Sequence, residues 1–501
     1  MSLIYSKTNS EMYSVPEDKV SSQLFFTTNM VSSYIPDELW ESIFKFIIYD
    51  DYDYSRCSLS HVSKHFLSIT NRLLFSLTLH DESTCCRLLT RFTNLDSLNL
   101  TSKYIDLDNL LIEISRFPLK LTSLNLSEQP TIPAIGLRAF SKKITTLTSL
   151  TCFHIDSISN SDLFLIAECF PLLQELNFRY PCPSISSIED SYHQVCSSYV
   201  DGIKALSLAL IKLRKVNLSG FPLNNESLFH LFNNCKLLQE VIMIRCDAIT
   251  YTGLAYALRE RPTLNSLSFH SFESGELDTL NFINSLVSLK GLTCLVLYDM
   301  NISDELLYSI ARKRLPLTKL ELSFCTGYSY AGILRLLTKC QRIQHLNLQG
   351  AEYLTDQHVV QLSSFLGDLV YINLSYCDEL TESTLLALAR KCPSLSKMIM
   401  ETFGNKIVRL SDSLLQESGV YPQLKSLCLG GNLWFSYEGA IMVASIFPNL
   451  KLFNLNACTC SLKVFDLYSC PWLSEGNCQD LRKRCKVTYI NLAEWSRMKL
   501  L

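Results

Sequence analysis

The residues with the most obvious chemistry are five cysteines close to the C-terminus, Cys458, Cys460, Cys470, Cys478 and Cys485. Thiolates bind structural zinc when they come in closely spaced pairs, commonly with histidines nearby. These five cysteines form no CxxC pair, and no histidine accompanies them. The sequence therefore predicts no metal site, and nothing else in it predicts a cofactor.

Other catalytic patterns are equally weak. The nine histidines occur singly, with no Ser/His/Asp or Cys/His set around them. The chain has neither a GxxxxGK[ST] phosphate loop nor a GxGxxG dinucleotide fingerprint. We therefore expect a binding protein that has no catalytic site of its own.

Most of the chain repeats one unit, which is clearest between Leu369 and Leu395. An LxxLxL strand pattern ends at Leu374, Thr381 follows as a helix N-cap, and apolar residues at helical spacing continue until Cys392-Pro393. The next LxxLxL begins 26 residues after the first. A strand and a helix every 26 residues are typical of a leucine-rich repeat, which must stack on its neighbours to bury its apolar face. The predicted fold is an α/β solenoid of the horseshoe type.

The central apolar residue of each LxxLxL counts the repeats. Successive central residues lie 25 to 29 residues apart, except for one step of 40. The fourteen are Leu98, Leu124, Leu150, Leu176, Val216, Val241, Leu267, Leu295, Leu320, Leu346, Ile372, Met398, Leu427 and Phe453. The sequence thus predicts 14–16 repeats over residues 80–501.

Two irregularities interrupt the period. Fourteen extra residues near 180–200 form either a binding loop, because insertions in repeat proteins gather on one face, or a tolerated surface loop. From about residue 453 a helix is missing before a last strand pattern at 487–492. This C-terminal part is either a degenerate cap or a faulty gene model.

Composition and cysteine usage predict the class of protein, its partners and its cellular location. Hydrophobic residues make up 48% and charged residues 19% of the chain, as in a folded protein, and the net charge of −3 predicts neither nucleic acid nor a membrane as partner. Several of the twenty cysteines recur in phase with the repeat, as buried residues do. No signal-peptide pattern opens the sequence, so we expect reduced thiols and an intracellular location, nuclear or cytoplasmic.

The first 79 residues do not fit the repeat. Residues 1–32 are rich in Ser, Thr, Asn and charge, which predicts a disordered tail. Residues 33–79 contain two amphipathic helical patterns joined by an acidic link, too small a core to be very stable alone.

These helical patterns, IPDELWESIFKFI and LSHVSKHFLSITNRLLFSL, resemble the F-box, usually written LPxELLxxIFxxL and VCKxWxxL. Ser63 and Phe66 stand where the family commonly has Cys and Trp, and the link is slightly longer. Phrases such as CDAITYTGLAYAL resemble the cysteine-containing repeats of F-box proteins, including those of plants. The resemblance implies a small all-α F-box that binds a Skp-type adaptor and, through it, a cullin. The implied adaptor contacts are Pro36, Leu39, Ile43, Phe44, Val62 and Phe66.

Side chains that flank the central leucines should face the open, concave side of the sheet, because they alternate with core residues. These positions are small or amide in early repeats and become larger and mixed later, which favours a protein-binding surface there. Tyr371 and Asn373 are examples, and the loop aromatics Tyr328, Phe272, Phe403, Trp434 and Phe435 could extend the surface. The residues predicted to bind a target protein are Ile242, Ile244, His270, Tyr298, Glu321, His345, Tyr371 and Ile399.

Together these features predict a substrate-recognition subunit of a Skp–cullin–F-box ubiquitin ligase, with a target protein that the sequence does not identify. One alternative is a repeat scaffold without a ligase, whose N-terminal helices only cap the solenoid. Another is a small-molecule receptor similar to the hormone-sensing F-box proteins of plants. Those receptors have a cluster of basic residues that binds an inositol phosphate. Here the inferred concave positions carry few basic residues, mainly Arg179, Lys215, Lys319 and Lys397, and they are scattered.

Overall fold

A computed structural model describes residues 35–50, 59, 61–101, 106–179, 199–270, 279–402, 419–432, 437–455 and 489–491. The predicted tail, most of the 180–200 insertion and the five C-terminal cysteines lie outside these residues. The chain divides into two compact units, Met1–Leu73 and Leu74–Leu501.

The first unit contains two helices, α1 (Asp37–Asp50) and α2 (Lys64–Arg72). Pro36 precedes α1, and its carbonyl accepts hydrogen bonds from the amides of Leu39 and Trp40. The Ser63 side chain caps α2 by accepting from the Phe66 amide at 3.0 Å. Both starts follow ordinary N-terminal signals, because Pro lacks the amide that a first turn leaves unpaired and Ser replaces a missing acceptor.

The second unit is a parallel sheet with one strand per repeat, in which every strand pairs with the strands of the adjacent repeats. Within the described ranges it has sixteen strands in chain order. They are β1 Ser76–Thr78, β2 Ser97–Asn99, β3 Ser123–Asn125, β4 Ser149–Thr151, β5 Glu175–Asn177, β6 Lys215–Asn217, β7 Glu240–Met243, β8 Ser266–His270, β9 Cys294–Tyr298, β10 Lys319–Ser323, β11 His345–Asn347, β12 Tyr371–Asn373, β13 Lys397–Ile399, β14 Ser426–Cys428, β15 Leu452–Asn454 and β16 Tyr489–Asn491.

Helices connect most successive strands. They are α3 Cys85–Arg91, α4 Leu107–Ile114, α5 Ala134–Ser141, α6 Asn160–Cys169, α7 Val200–Ala209, α8 Asn225–Asn234, α9 Tyr251–Glu260, α10 Thr279–Val287, α11 Asp304–Lys313, α12 Tyr330–Leu337, α13 Asp356–Leu362, α14 Glu382–Lys391 and α15 Tyr437–Ile446.

The predicted repeat is confirmed. All fourteen central residues lie in strands, and they align across the sheet, as Leu346, Ile372 and Met398 do in β11 to β13. The leucines form one continuous apolar cluster from Leu74 to Leu455. This is the fold of a leucine-rich-repeat solenoid.

The sheet begins earlier than predicted. β1 lies inside residues 33–79, which were predicted to form only the helical F-box-like segment. Its Leu77 pairs with Leu98 of β2. Leu74, Leu77 and Leu79 do form an LxxLxL, but Leu77 precedes Leu98 by only 21 residues, so the 26-residue period does not reveal it. At the other end β16 pairs with β15, which confirms the last predicted strand.

Carboxylates at helix starts fasten one repeat to the next. The Asp356 carboxylate in α13 accepts from the Thr381 amide at 2.9 Å, the Thr381 hydroxyl at 2.6 Å and the Thr384 hydroxyl at 2.6 Å. Asp304 in α11 makes the first two of these bonds to Ser329. The residue that begins one helix therefore holds the N-cap residue of the following helix.

The cysteines that recur in phase are buried, as predicted. Cys246, Cys325 and Cys377 donate S–H hydrogen bonds to carbonyls of the preceding repeat, at 3.2, 3.4 and 3.5 Å from sulfur to oxygen. Burial raises the pKa of the Cys325 and Cys377 thiols to about 12. They act as small apolar residues that also satisfy a backbone acceptor.

We expect Asp356→Ala to lower the free energy of unfolding by about 1–3 kcal/mol, because the Thr381 amide and the buried Thr384 hydroxyl lose their acceptor. Urea unfolding followed by circular dichroism measures the change. Asp368→Ala, at an exposed carboxylate in a turn, is the matched control and should be neutral. Equal unfolding energies for the two variants would contradict the fastening role of Asp356.

We also expect iodoacetamide at pH 8 to label exposed Cys86 in the native protein but to leave Cys325 and Cys377 unmodified until urea unfolds it. Only a thiolate reacts, and these two thiols stay protonated as well as buried. Peptide-level mass spectrometry separates the individual sites. Labelling of Cys325 or Cys377 at the rate of Cys86 in the native state would show that the prediction is wrong.

Candidate protein-binding surfaces

Three aromatic rings form the core between the two N-terminal helices. The Phe66 ring of α2 lies 4.7 Å from the Trp40 ring and 4.8 Å from the Phe44 ring of α1, between ring centroids. Arg72 joins the same helices through the carboxylates of Asp37 at 2.6 Å and Glu41 at 3.2 Å. The segment thus has a packed interior despite its small size.

This interior changes the role of one predicted adaptor contact. Phe44 is only 1% exposed, because its ring fills the space between Trp40 and Phe66. Phe66 is half-buried for the same reason. Phe44 therefore supports the surface of this segment from inside and is not itself available for contact.

The remaining predicted adaptor contacts are on the outside. Leu39 is 55% exposed and Val62 is 65% exposed, and Ile43 and Pro36 are exposed as well. Spacing of four residues places successive side chains on one face of a helix. Leu39, Ile43 and Ile47 form an exposed apolar stripe at this spacing on α1, and Ile35, just before the helix, is exposed as well.

In the solenoid, the side chains on either side of each central residue make up what we call the open face. On this face the side chains of the early repeats are small and polar: Ser97 and Asn99 are followed in register by Ser123 and Asn125. Charges appear from β5 onward and pair locally: Lys215 with Glu175 at 3.0 Å, and Lys319 with Glu321 at 2.9 Å.

Among the residues predicted to bind a target, His345 and Tyr371 lie together. They pair across β11 and β12, and their rings stack with centroids 5.7 Å apart. The Lys397 ammonium of β13 lies 5.5 Å from the centroid of the Tyr371 ring, a cation–π distance. His345 is exposed, and Tyr371 is half-buried.

Five of the other predicted target contacts lie at four strands between β7 and β13, so they do not form one compact site. They are half-buried on the open face: Ile242 and Ile244 at or just after β7, Tyr298 in β9, Glu321 in β10 and Ile399 in β13.

His270 differs from the prediction. Its side chain is 1% exposed, and its Nδ1 accepts a hydrogen bond from the Arg245 amide at 3.3 Å. Asp247 and Asp299 place carboxylate oxygens 4.0 and 3.9 Å from its ring nitrogens. Burial lowers the pKa of the imidazole, and the Asp299 carboxylate opposes that shift. His270 therefore supports the edge of the sheet from within.

Asn373 and Tyr328 also serve the fold. The Asn373 side-chain oxygen accepts from the amide and the hydroxyl of Ser375, at 3.0 and 2.8 Å. Tyr328 is buried with its ring 5.4 Å from that of Tyr353. Of the other predicted loop aromatics, Phe272, Phe403, Trp434 and Phe435 lie outside the described residues.

A left-handed turn follows many of the strands, and the sequence pattern did not predict it. The fourth residue after the central one has a positive φ in ten repeats of the described part of the chain. Its amide donates to the next repeat, as Phe324 does to the Gln349 carbonyl at 2.7 Å. Glycine occupies the turn at positions 220, 350 and 431. The others, which each strain the backbone by about 1–2 kcal/mol, are Glu128, His154, Arg245, Asp299, Phe324, Tyr376 and Thr402.

A shallow cavity of about 200 Å³ lies on β4 to β7, where Glu175 already pairs with the one lysine that lines it, Lys215. Within the described ranges, no group of three His, Cys, Asp or Glu side chains could hold a metal ion. The helices in these ranges are all too short or too polar to span a membrane.

No family model matches the chain. A solved structure similar to it is that of Rad7 in the crystal structure of the Rad7 and Elc1 complex in yeast. The two chains are 17% identical, the match covers 86% of this chain and 92% of that one, and the TM-score is 0.47.

We expect the stability of the solenoid to fall as the pH drops below about 6.5, the ordinary histidine value. His270 binds protons less readily when folded than when unfolded, so its contribution is present above that pH and is lost on acidification. His270→Gln, whose amide oxygen can still accept from Arg245, should lessen the fall between pH 7.5 and 5.5 in urea unfolding. His345→Gln is the control, and an equal fall in both variants would contradict this role for His270.

Proposed function

We propose that this protein is the substrate-recognition subunit of a Skp–cullin–F-box ubiquitin ligase. On this proposal the helices α1 and α2 bind a Skp-type adaptor, and the adaptor links the chain to a cullin. The open face of the solenoid and the turns at its edge bind the target protein. The chain itself supplies no catalytic group, and its contribution is to hold the target near the ubiquitin-charged enzyme.

The observation that carries the proposal is the apolar stripe of α1. Within the described residues of this unit, three rings fill the interior and Leu39, Ile43 and Ile47 remain exposed on the outside. Clustered exposed apolar side chains of this kind mark a protein interface. The same side chains coincide with the F-box pattern, of which Leu39 and Ile43 are matching positions.

The solenoid supports the second half of the proposal. Its repeats present half-buried Ile242, Tyr298, Tyr371 and Ile399 on a face that the helices do not cover. Tyrosine and large aliphatic side chains dominate the energetic centres of protein interfaces. The paired and scattered lysines favour a protein ligand over a small polyanion.

We expect the full chain to retain a recombinant Skp-type adaptor in a pull-down, and Leu39→Ala combined with Ile43→Ala to reduce retention at least tenfold. Each exposed side chain that an interface buries contributes about 1.5–3 kcal/mol. Biolayer interferometry with immobilised adaptor measures the affinities, and circular dichroism checks folding.

The matched control is Leu208→Ala combined with Ile211→Ala, at two solenoid side chains that are 58% and 60% exposed. This control removes a similar apolar area outside the F-box-like segment, so adaptor binding should stay at the wild-type level. If the wild-type chain retains no adaptor, or if both double variants lose it equally, the ligase proposal fails.

A further inference from the structure

An aromatic row lies along the edge of the sheet where the strands end. Its members are the rings of Tyr298, Phe324 and Tyr376, which we call the turn row. The Tyr298 and Phe324 centroids are 6.0 Å apart, and those of Phe324 and Tyr376 are 5.6 Å apart. Tyr376 is 45% exposed, and the other two are half-buried, so ring surface remains open to solvent.

Two of these rings are placed there at a cost in backbone strain. Phe324 and Tyr376 occupy the left-handed turn position, with φ of 56° and 59°, which large side chains rarely adopt. The repeat between them has Gly350 at the same position, with φ of 78°. Glycine occupies this position in three of the ten turns and various other side chains in the rest, so the fold does not require aromatic side chains here.

Gly350 also permits the two rings to meet. A Cβ atom at Gly350 would lie 2.9 Å from a ring carbon of Phe324, closer than such atoms come. Its absence leaves Phe324 and Tyr376, two repeats apart, in ring contact across the intervening turn. The row therefore spans β9 to β12, about 14 Å at the usual strand spacing of about 4.8 Å, the length of about four extended residues.

Four of the five turns next to the row carry carboxylates. They contribute three exposed carboxylates, Asp299, Glu352 and Glu379, and two half-buried ones, Asp378 and Glu401. The described stretches that follow β9 to β13 contain no Lys, Arg or His: 299–303, 324–329, 349–355, 375–381 and 401–402. The connection after β13 continues beyond them with Lys406 and Arg409 in its sequence. The negative field of these loops attracts cations to the ring faces.

We propose that the turn row binds an extended segment of the target protein that carries arginine or lysine side chains. The cations lie over the faces of Tyr298, Phe324 and Tyr376 and are balanced by the surrounding carboxylates. The chain already contains one such contact on the same sheet, Lys397 over Tyr371. That the segment belongs to a ligase target rests on the proposed function, whereas its basic character rests on the row and its loops.

The probe is a fluorescein-labelled nine-residue peptide of alternating arginine and serine, titrated with the full chain and followed by fluorescence anisotropy. We expect saturable binding that weakens with added salt, because exposed charges are screened. The same peptide with citrulline, a neutral analogue of arginine, should bind at least tenfold more weakly. Equal binding of the two peptides, or no saturable binding of the arginine peptide, overturns the proposal.

The decisive variant is Phe324→Gly combined with Tyr376→Gly. We expect at least tenfold weaker binding of the arginine peptide, together with a Tm that is unchanged or higher, because glycine relieves the strain of the left-handed turn. A purely structural role for the rings would lower the Tm. The matched control, His154→Gly, changes the same turn position in another repeat, where φ is 54°, and should leave binding intact.

If the double variant lowers the Tm, Asp299→Asn combined with Glu352→Gln decides the question. Both carboxylates are exposed, and their amides keep the size of the side chains. We expect at least threefold weaker binding, and wild-type affinity in this variant overturns the proposal. Adaptor retention by the full chain tests α1 and α2 and is independent of the turn row. A chain that binds the basic peptide but not the adaptor would therefore reject the ligase proposal and leave the basic-segment proposal standing.

Discussion

The hydrogen bond from the backbone of one repeat to the next is the interaction on which the rest of the structure depends. Many strands have only three residues, and the amide just beyond such a strand also donates to the following repeat, as Leu100 does to the Asn125 carbonyl and Leu374 does to the Ile399 carbonyl. A strand this short has no stability alone. The stack therefore holds each turn, each helix start and each open-face side chain in position through its neighbours.

The side chains that serve this stack differ from those it displays. Asn373 satisfies the end of its own strand, Asp356 holds the N-cap residue of the next repeat's helix, and Cys377 donates to a carbonyl of the preceding repeat. These polar groups are bonded within the protein. Tyr371 and Tyr376 keep ring area in contact with solvent, and they are the kind of residue through which the solenoid can act on a partner.

Periodicity explains how much of this could be predicted. The central leucines recur because the core needs them, so the repeats, the strands and the buried cysteines follow from spacing alone. β1 escapes because its repeat is short. His270 and Asn373 escape because the alternation of strand side chains ignores bonds from a side chain to a backbone group. The left-handed turns escape because most of them lack glycine, the residue that signals them.

The turn position carries a consequence for how such a protein can diverge. The backbone there is held by a hydrogen bond that does not involve the side chain, as at Phe324, Gly350 and Tyr376. A substitution at one turn residue therefore leaves the neighbouring repeats in register while it changes the side chain exposed at that edge of the sheet. Mutations can therefore change this edge one repeat at a time. Duplicated copies of such a protein can acquire different partners while every intermediate sequence still folds.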